Sequence, residues 1–232
     1  MKSTPLFSII IPARNEEKYI NNCLASLFSQ SFNKKDYEVI VVDNNSTDRT
    51  AEIVTNYPAV YTKEESIGCI YALIKGVKLA KGAILVIGDS DCIYPPKWLQ
   101  NIYSTFTSYP EIVAVGGRVQ FYDGDILLDL LTRLYLKFSR NIRGFDFALK
   151  KDFLQKIGGL NPEINFGWDT ALFNKIKKKG SYKIDNSNIM YASSRRYRSC
   201  FFSTMLLQLL NSISLKFRGK GIFFKFPSCK YR

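Results

Sequence analysis

Asp89 and Asp91 stand one residue apart, directly behind the apolar run AILVIG at 83–88. In an extended backbone, residues two apart share a face, so both carboxylates point the same way. Paired carboxylate oxygens suit a hard cation such as Mg²⁺ or Mn²⁺, which in turn engages phosphate oxygens. D-x-D is a common loop pattern, and its place at the end of a buried strand is what gives it weight. Asp43 closes a second apolar run, YEVIVV at 37–42. It could accept hydrogen bonds from a base or ribose, or join Ser46 in capping the next helix. A further polar cluster, Pro12-Ala13-Arg14-Asn15-Glu16, follows LFSIII at 6–11. No G-x-x-x-x-G-K-[ST] is present and no G-x-G-x-x-G follows a strand, so phosphates would be held by a metal and basic side chains. The chain has no His, which removes Ser-His triads and His-containing zinc sites. Proton chemistry near neutral pH is left to carboxylates, Lys, Tyr or Cys.

These groups need a scaffold, and the pattern supplies one. LFSIII, YEVIVV and AILVIG are short apolar β-runs. Between them lie helical patterns from Glu16 to Gln30, from the caps at Ser46 to Asp48 through about Asn56, and from Ile67 to Ala80. Short buried strands alternating with amphipathic helices predict an α/β fold, with a mostly parallel sheet flanked by helices. Ligands of such sheets sit beyond the carboxyl ends of the strands. The three strand ends carry P-A-R-N-E, D-N-N-S-T-D and D-S-D, so all three clusters share one rim.

At 232 residues, with 46% apolar and 14% aromatic side chains, the chain can bury a sizeable core and its composition argues against disorder. Five scattered Cys without a C-x-x-C argue for a reducing compartment, and the N-terminus is too short in apolar residues for a signal peptide. The net charge of +13 is uneven: nine Lys/Arg and no acid fall between Arg195 and Arg232, leaving +4 for the other 194 residues. This tail also holds FFSTMLLQLLNSISLKF at 201–217, shorter than the roughly 20 apolar residues of a spanning helix. Phe202, Met205, Leu206, Leu209, Leu210, Ile213 and Phe217 fall on one broad helical face, flanked by Arg195, Arg196 and Arg198 before it and Lys216, Arg218 and Lys220 after it. Such a segment suits an anionic membrane surface, or equally a helix packed on the core. The expected organisation is a catalytic domain over 1–194, with halves meeting near residue 91, and a basic amphipathic segment over 195–232.

Taken together, these motifs resemble a family 2 glycosyltransferase with the GT-A fold, over about residues 5–200. FSIIIPARNEEKYINNCLASLFSQ resembles the family's first strand and helix. VIVVDNNSTDRTAEI resembles its nucleotide-binding strand, and ILVIGDSDCIYPPKWL its D-x-D region. FALKKDFLQKIGGLNPEINFGWDTALFNKIKKKG resembles the acceptor-side stretch. The resemblance implies inverting, metal-dependent transfer from a UDP- or GDP-linked sugar, with Mn²⁺ or Mg²⁺ as cofactor. It places Pro12, Ala13, Arg14, Asn15, Glu16, Asp43, Asn45, Gly68, Asp89 and Ser90 around the nucleotide sugar. Asp91, with Asp89, would hold the metal, and Asp169 would be the catalytic base, a role that capping its helix need not exclude. Trp168 stands where the family often has a second acid, and could stack on an acceptor sugar or simply fill a gap. Arg195, Arg196 and Arg198 could meet a diphosphate or an acceptor phosphate.

GCIYALIKG resembles the polyprenyl-phosphate sugar transferases, and no Q-x-x-R-W of processive synthases occurs. The expected partners are a glycan or polyprenyl-phosphate-type lipid acceptor and an anionic membrane, at the cytoplasmic face. The alternatives are a basic nucleic-acid-binding protein and a nucleotidyltransferase on a similar core. The first lacks a reading motif and the second lacks its signature, so nucleic acid is not expected as a partner.

Overall fold

The computed structural model describes residues 4–124 and 146–195, with 206–207, 210–211, 213–215 and 221 beyond them. The apolar runs form β1 (Phe7–Ala13), β2 (Tyr37–Asp43) and β4 (Ile84–Gly88), fully or almost fully buried along their lengths. A short strand that the apolar pattern does not announce, β3 (Val60–Lys63), joins the edge of β2. The remaining strands are β5 (Cys92–Ile93), β6 (Ile112–Phe121), β7 (Asp146–Lys150) and β8 (Ser181–Ala192). All eight form one sheet in the order β3-β2-β1-β4-β7-β6-β8-β5.

The described helices are α1 (Ile20–Phe28), α2 (Thr50–Thr55), α3 (Cys69–Leu79), α4 (Trp98–Ser108), α5 (Lys151–Lys156) and α6 (Trp168–Lys179). Strand alternation sorts them into two layers. Ile9 and Ile11 face a core with Leu24 and Leu27 of α1, Val54 of α2, and Trp98 and Leu99 of α4. Ile10 faces the opposite core with Leu73 of α3, Leu154 of α5, and Phe173 and Ile176 of α6. Each of these fully buried isoleucines contributes about 2 kcal/mol of transfer free energy. Helix α3 comes especially close: a Cβ on Gly76 would lie 2.4 Å from Ile10 Cγ2.

The sheet is mixed. β1–β2, β1–β4, β2–β3 and β6–β8 are parallel, whereas β4–β7, β6–β7 and β5–β8 are antiparallel. Two consequences matter for the site. The carboxyl ends of β1, β2 and β4 share one rim, with Ala13 beside Asp43 in register. The end of β8 returns to that rim, because Ala192 pairs with Cys92 just past the D-x-D.

Three boundaries differ from the sequence pattern. β1 continues through Pro12, which is tolerated because pairing with β4 has already ended at Ile10. α1 begins at Ile20 rather than Glu16, since Asn15 takes a left-handed backbone (φ 55°) and the chain turns before entering the helix. α2 starts at Thr50, behind Asp48, whose Oδ1 accepts the Thr50 amide at 3.0 Å.

Candidate active site

The β2 end of the rim is a closed polar network. Asp43 is 1% exposed, and its Oδ1 accepts the Ser46 amide at 2.9 Å while its Oδ2 accepts the Tyr61 hydroxyl at 2.8 Å. Burial and the neighbouring Asp43 charge push the Tyr61 hydroxyl well above its ordinary value, so it remains a donor. Asn44 is buried beside it: its Nδ2 donates to the carbonyls of Glu64 and Ser66, and its Oδ1 accepts the Gly68 amide at 2.8 Å. The first polar cluster is stitched to the same loop. The Asn15 amide donates to Ser46 Oγ, Asn15 Oδ1 accepts the Thr47 amide, and the Glu16 amide donates to Thr50 Oγ1.

The D-x-D lies across from this network. Tyr94 is wholly buried, and its hydroxyl accepts the Asp89 amide at 2.9 Å and donates to the Asp89 carbonyl at 3.2 Å. Gly88 makes this clamp possible, since a Cβ there would meet Tyr94 Oη at 2.3 Å. α1 and the residues just after it hold the following turn in place: Ser26 Oγ accepts the Tyr94 amide and Gln30 Nε2 donates to the Pro95 carbonyl. Asp91 is 5% exposed, and its Oδ2 takes the Arg195 Nε–H at 3.0 Å. The same guanidinium reaches Glu16 Oε1 from Nη2 at 2.5 Å and lies over the Tyr19 ring, 4.3 Å from its centre.

Ligand atoms of Asp89, Asp91 and Cys92 lie within 4.8 Å of one another. Two carboxylates there fit a hard divalent cation, and the guanidinium on Asp91 shows that this spot already draws positive charge. Below them, Cys23 is buried with its thiol aimed at the Asp89 carbonyl. Burial, with the negative field of Asp91, Asp89 and Glu16 adding to it, pushes that thiol well up, so it stays neutral.

The third part of the site is the start of α6. Gly167 takes a left-handed backbone (φ 79°) and precedes the helix, so Asp169 sits inside the first turn instead of serving as the N-cap. A carboxylate there is favoured by the helix dipole. Asp169 and Trp168 are both half-buried. Asn165, in the loop just before them, accepts the Ile70 amide at the start of α3 at 3.0 Å. The left-handed Gly68 (φ 151°) packs against this side chain, because a Cβ there would lie 3.2 Å from Asn165 Oδ1. Asn44, Gly68 and Asn165 thus tie the Asp43 network to the loop that launches Asp169. From the other side, Asn211 Nδ2 donates to the Phe166 carbonyl at 2.9 Å.

The sequence model of glycosyl transferase family 2 matches residues 8–173. The chain belongs to this family. Glycosyltransferase AglE of Haloferax volcanii is 38% identical over 128 residues, covering 52% of this chain and 42% of that protein. A dolichol-phosphate mannosyltransferase of Pyrococcus furiosus is 30% identical over 197 residues, covering 75% and 53%. This chain therefore spans about half the length of these curated relatives. Among solved structures, the mannosyltransferase PcManGT from Pyrobaculum calidifontis, in complex with GDP-Man and Mn²⁺, superimposes with a TM-score of 0.75 at 21% identity, covering 94% of this chain and 66% of that one. At that identity the likeness speaks for the fold, which is GT-A.

Of the residues singled out by sequence, this family 2 glycosyltransferase brings Ala13, Asn15, Glu16, Asp43, Asp89, Ser90, Asp91 and Arg195 to one rim, with Pro12 inside β1 and Gly68 bonded to Asn44. Arg14 and Asn45 are exposed on the two loops of that rim. Arg196 and Arg198 lie outside the described residues. The motifs alone miss Asn44, Tyr61, Tyr94 and Asn165. Only Asn44 carried a signal, as the first residue after the Asp43 strand end.

Proposed function

We propose that the chain moves a sugar from a UDP- or GDP-linked donor to a glycan or polyprenyl-phosphate acceptor, inverting the anomeric centre, at the cytoplasmic face of a membrane. The observation that carries this reading is the shared rim. A buried carboxylate fixed for hydrogen bonding at Asp43 lies on the same edge as the Asp89–Asp91 pair, with a guanidinium between that pair and Glu16.

In this reading Asp43 and the Asn15 loop hold the nucleoside, and Asp89 and Asp91 hold Mn²⁺ or Mg²⁺. A cation bound there would offset the charge growing on the departing diphosphate. Asp169, at the start of α6, is the group that takes the acceptor hydroxyl's proton, and Trp168 beside it offers a stacking face. The relatives named for dolichyl or dolichol-phosphate chemistry favour a lipid-linked acceptor.

The C-terminal segment supports a membrane location. Asn211, Ser214 and Leu215 are buried, whereas Leu206, Leu210 and Ile213 are 40–55% exposed at helical spacing. An apolar row turned outward beside polar residues turned inward suits an interfacial segment. No helix among the described residues is long and apolar enough to cross a membrane.

The test is a thermal-shift screen of nucleotide sugars with and without Mn²⁺. One donor should raise the melting temperature, and more so with the metal, because ligand binding stabilises by mass action. With that donor in hand, Asp169→Asn should keep the shift and lose transfer. A screen in which no nucleotide sugar shifts the wild-type protein sinks the reading.

A further inference from the structure

Arg195 bridges two buried acids from different parts of the rim, Glu16 and Asp91. Its side chain is 20% exposed, and the carboxylates it bridges, Glu16 and Asp91, are 8% and 6% exposed. The fork of a guanidinium places one N–H group on each, and the Tyr19 ring fixes its plane. The backbone beneath it is anchored. The Ser193 amide donates to the Asp91 carbonyl at 3.1 Å, and Asp123 receives Ser193 Oγ at 2.8 Å and the Ser194 amide at 2.5 Å. The Cα of Arg195 is thus tied to the D-x-D, while its long side chain can rotate from a fixed base.

Asp91 Oδ2 faces this guanidinium, and Asp91 is also a member of the Asp89–Asp91–Cys92 group that fits a divalent cation. Two cations so close would repel each other in a buried setting. We propose that Arg195 is an exchangeable electrostatic latch. In the metal-free chain it neutralises Glu16 and Asp91. When a divalent cation loads, the guanidinium releases Asp91 and its freed N–H groups turn to the donor's diphosphate. This rests on the function proposed above and adds to it a coupling: metal and diphosphate bind better together than either binds alone, since each removes the obstacle to the other.

The experiment measures Mn²⁺ binding directly, by the loss of the free-ion electron paramagnetic resonance signal, on the full chain with and without UDP or GDP. A latch that is closed nine-tenths of the time lowers the apparent metal affinity about tenfold. Arg195→Gln should therefore bind Mn²⁺ alone about tenfold more tightly than wild type, and should bind UDP or GDP more weakly in the presence of Mn²⁺. It should also melt below wild type without metal, with Mn²⁺ narrowing the gap, because a cation there also neutralises Asp91. Arg195→Lys, which keeps the charge but cannot fork to both carboxylates, should fall between the two and serves if the Gln variant does not fold. Equal or weaker Mn²⁺ binding by both variants, with wild type binding normally, overturns the latch. If wild type and both variants bind no Mn²⁺ even with UDP and GDP, and match Asp91→Asn, the metal reading itself is overturned and the latch with it.

Discussion

Asp43 and Asp91 are both buried acids on one rim, and they are satisfied in opposite ways. Asp43 is met by neutral donors, the Ser46 amide and the Tyr61 hydroxyl, both built into the first half of the chain. Asp91 is met by a guanidinium that arrives from 104 residues away. Neutral donors orient a carboxylate while leaving its charge to act on a ligand. A guanidinium cancels the charge and, in the proposed latch, gives way to another cation. The first arrangement suits recognition, and the second suits a site that changes its cation. Asp146 gives a third case on the same strand ends. It opposes Gly88 in register, is 4% exposed, and receives Trp98 Nε1–H on Oδ1, with no cation bonded to it among the described residues.

The largest effect should come from removing the exchangeable charge. Asp91→Asn keeps the shape of the side chain and loses its charge, so donor turnover should fall about a hundredfold to a thousandfold, measured as release of nucleoside diphosphate. Mn²⁺ should no longer strengthen donor binding. Full turnover in this variant would erase the distinction between the two acids.

Asp146 sharpens the comparison through pH. Burial, only partly offset by the Trp98 hydrogen bond, pushes its carboxyl up to about 7. An acid whose folded value lies above its unfolded one stabilises the protein fully below the unfolded value, near 3.8, and loses that contribution as pH rises toward about 7. Over that window wild type should lose about 1.4 kcal/mol per pH unit relative to Asp146→Asn, which carries no titrating group there. Denaturant unfolding of both proteins at pH 5 and pH 7 reads the difference. A gap independent of pH would mean that Asp146 is ionised in the fold, and that burial without a cation does not hold it neutral.

The contrast also explains what the sequence reveals. Strand ends behind LFSIII, YEVIVV and AILVIG are legible because an apolar run buried on both faces has a composition of its own. The polar residues that stop it must lie at the rim. Asp43, Asp89 and Asp91 are therefore readable locally. The cation is not: Arg195, Arg196 and Arg198 look alike in the chain. The pairing of β8 with β5 is what brings Arg195 to Asp91. Tyr61 stays hidden because β3 is a short, half-exposed edge strand without an apolar run. Asn165 stays hidden because its partner, the Ile70 amide, is 95 residues away. Asn44 and Asn45 are neighbours of one type. Burial separates them, with Asn44 4% exposed and Asn45 turned to solvent on a left-handed backbone (φ 64°).

The smallest effect belongs to the neutral donor. Tyr61→Phe deletes one hydrogen bond to a buried carboxylate and leaves the ring in place. A hydrogen bond to a charged group contributes about 1.5–3 kcal/mol, and a loop as polar as this one recovers part of it through water. The nucleotide-sugar KM should therefore rise about tenfold, because a wandering Asp43 pays part of its ordering cost at each binding event. Turnover at saturating donor should stay near wild type, since the proposed role of Asp43 is on the nucleoside and not at the bond that breaks. Mn²⁺ binding should also stay unchanged, as Tyr61 bonds to Asp43 and the proposed cation site lies at Asp91. That last readout decides the matter. If Tyr61→Phe weakened Mn²⁺ binding as Asp91→Asn does, the two carboxylates would be one coupled electrostatic unit. A neutral donor on one would then be setting the charge balance of the other.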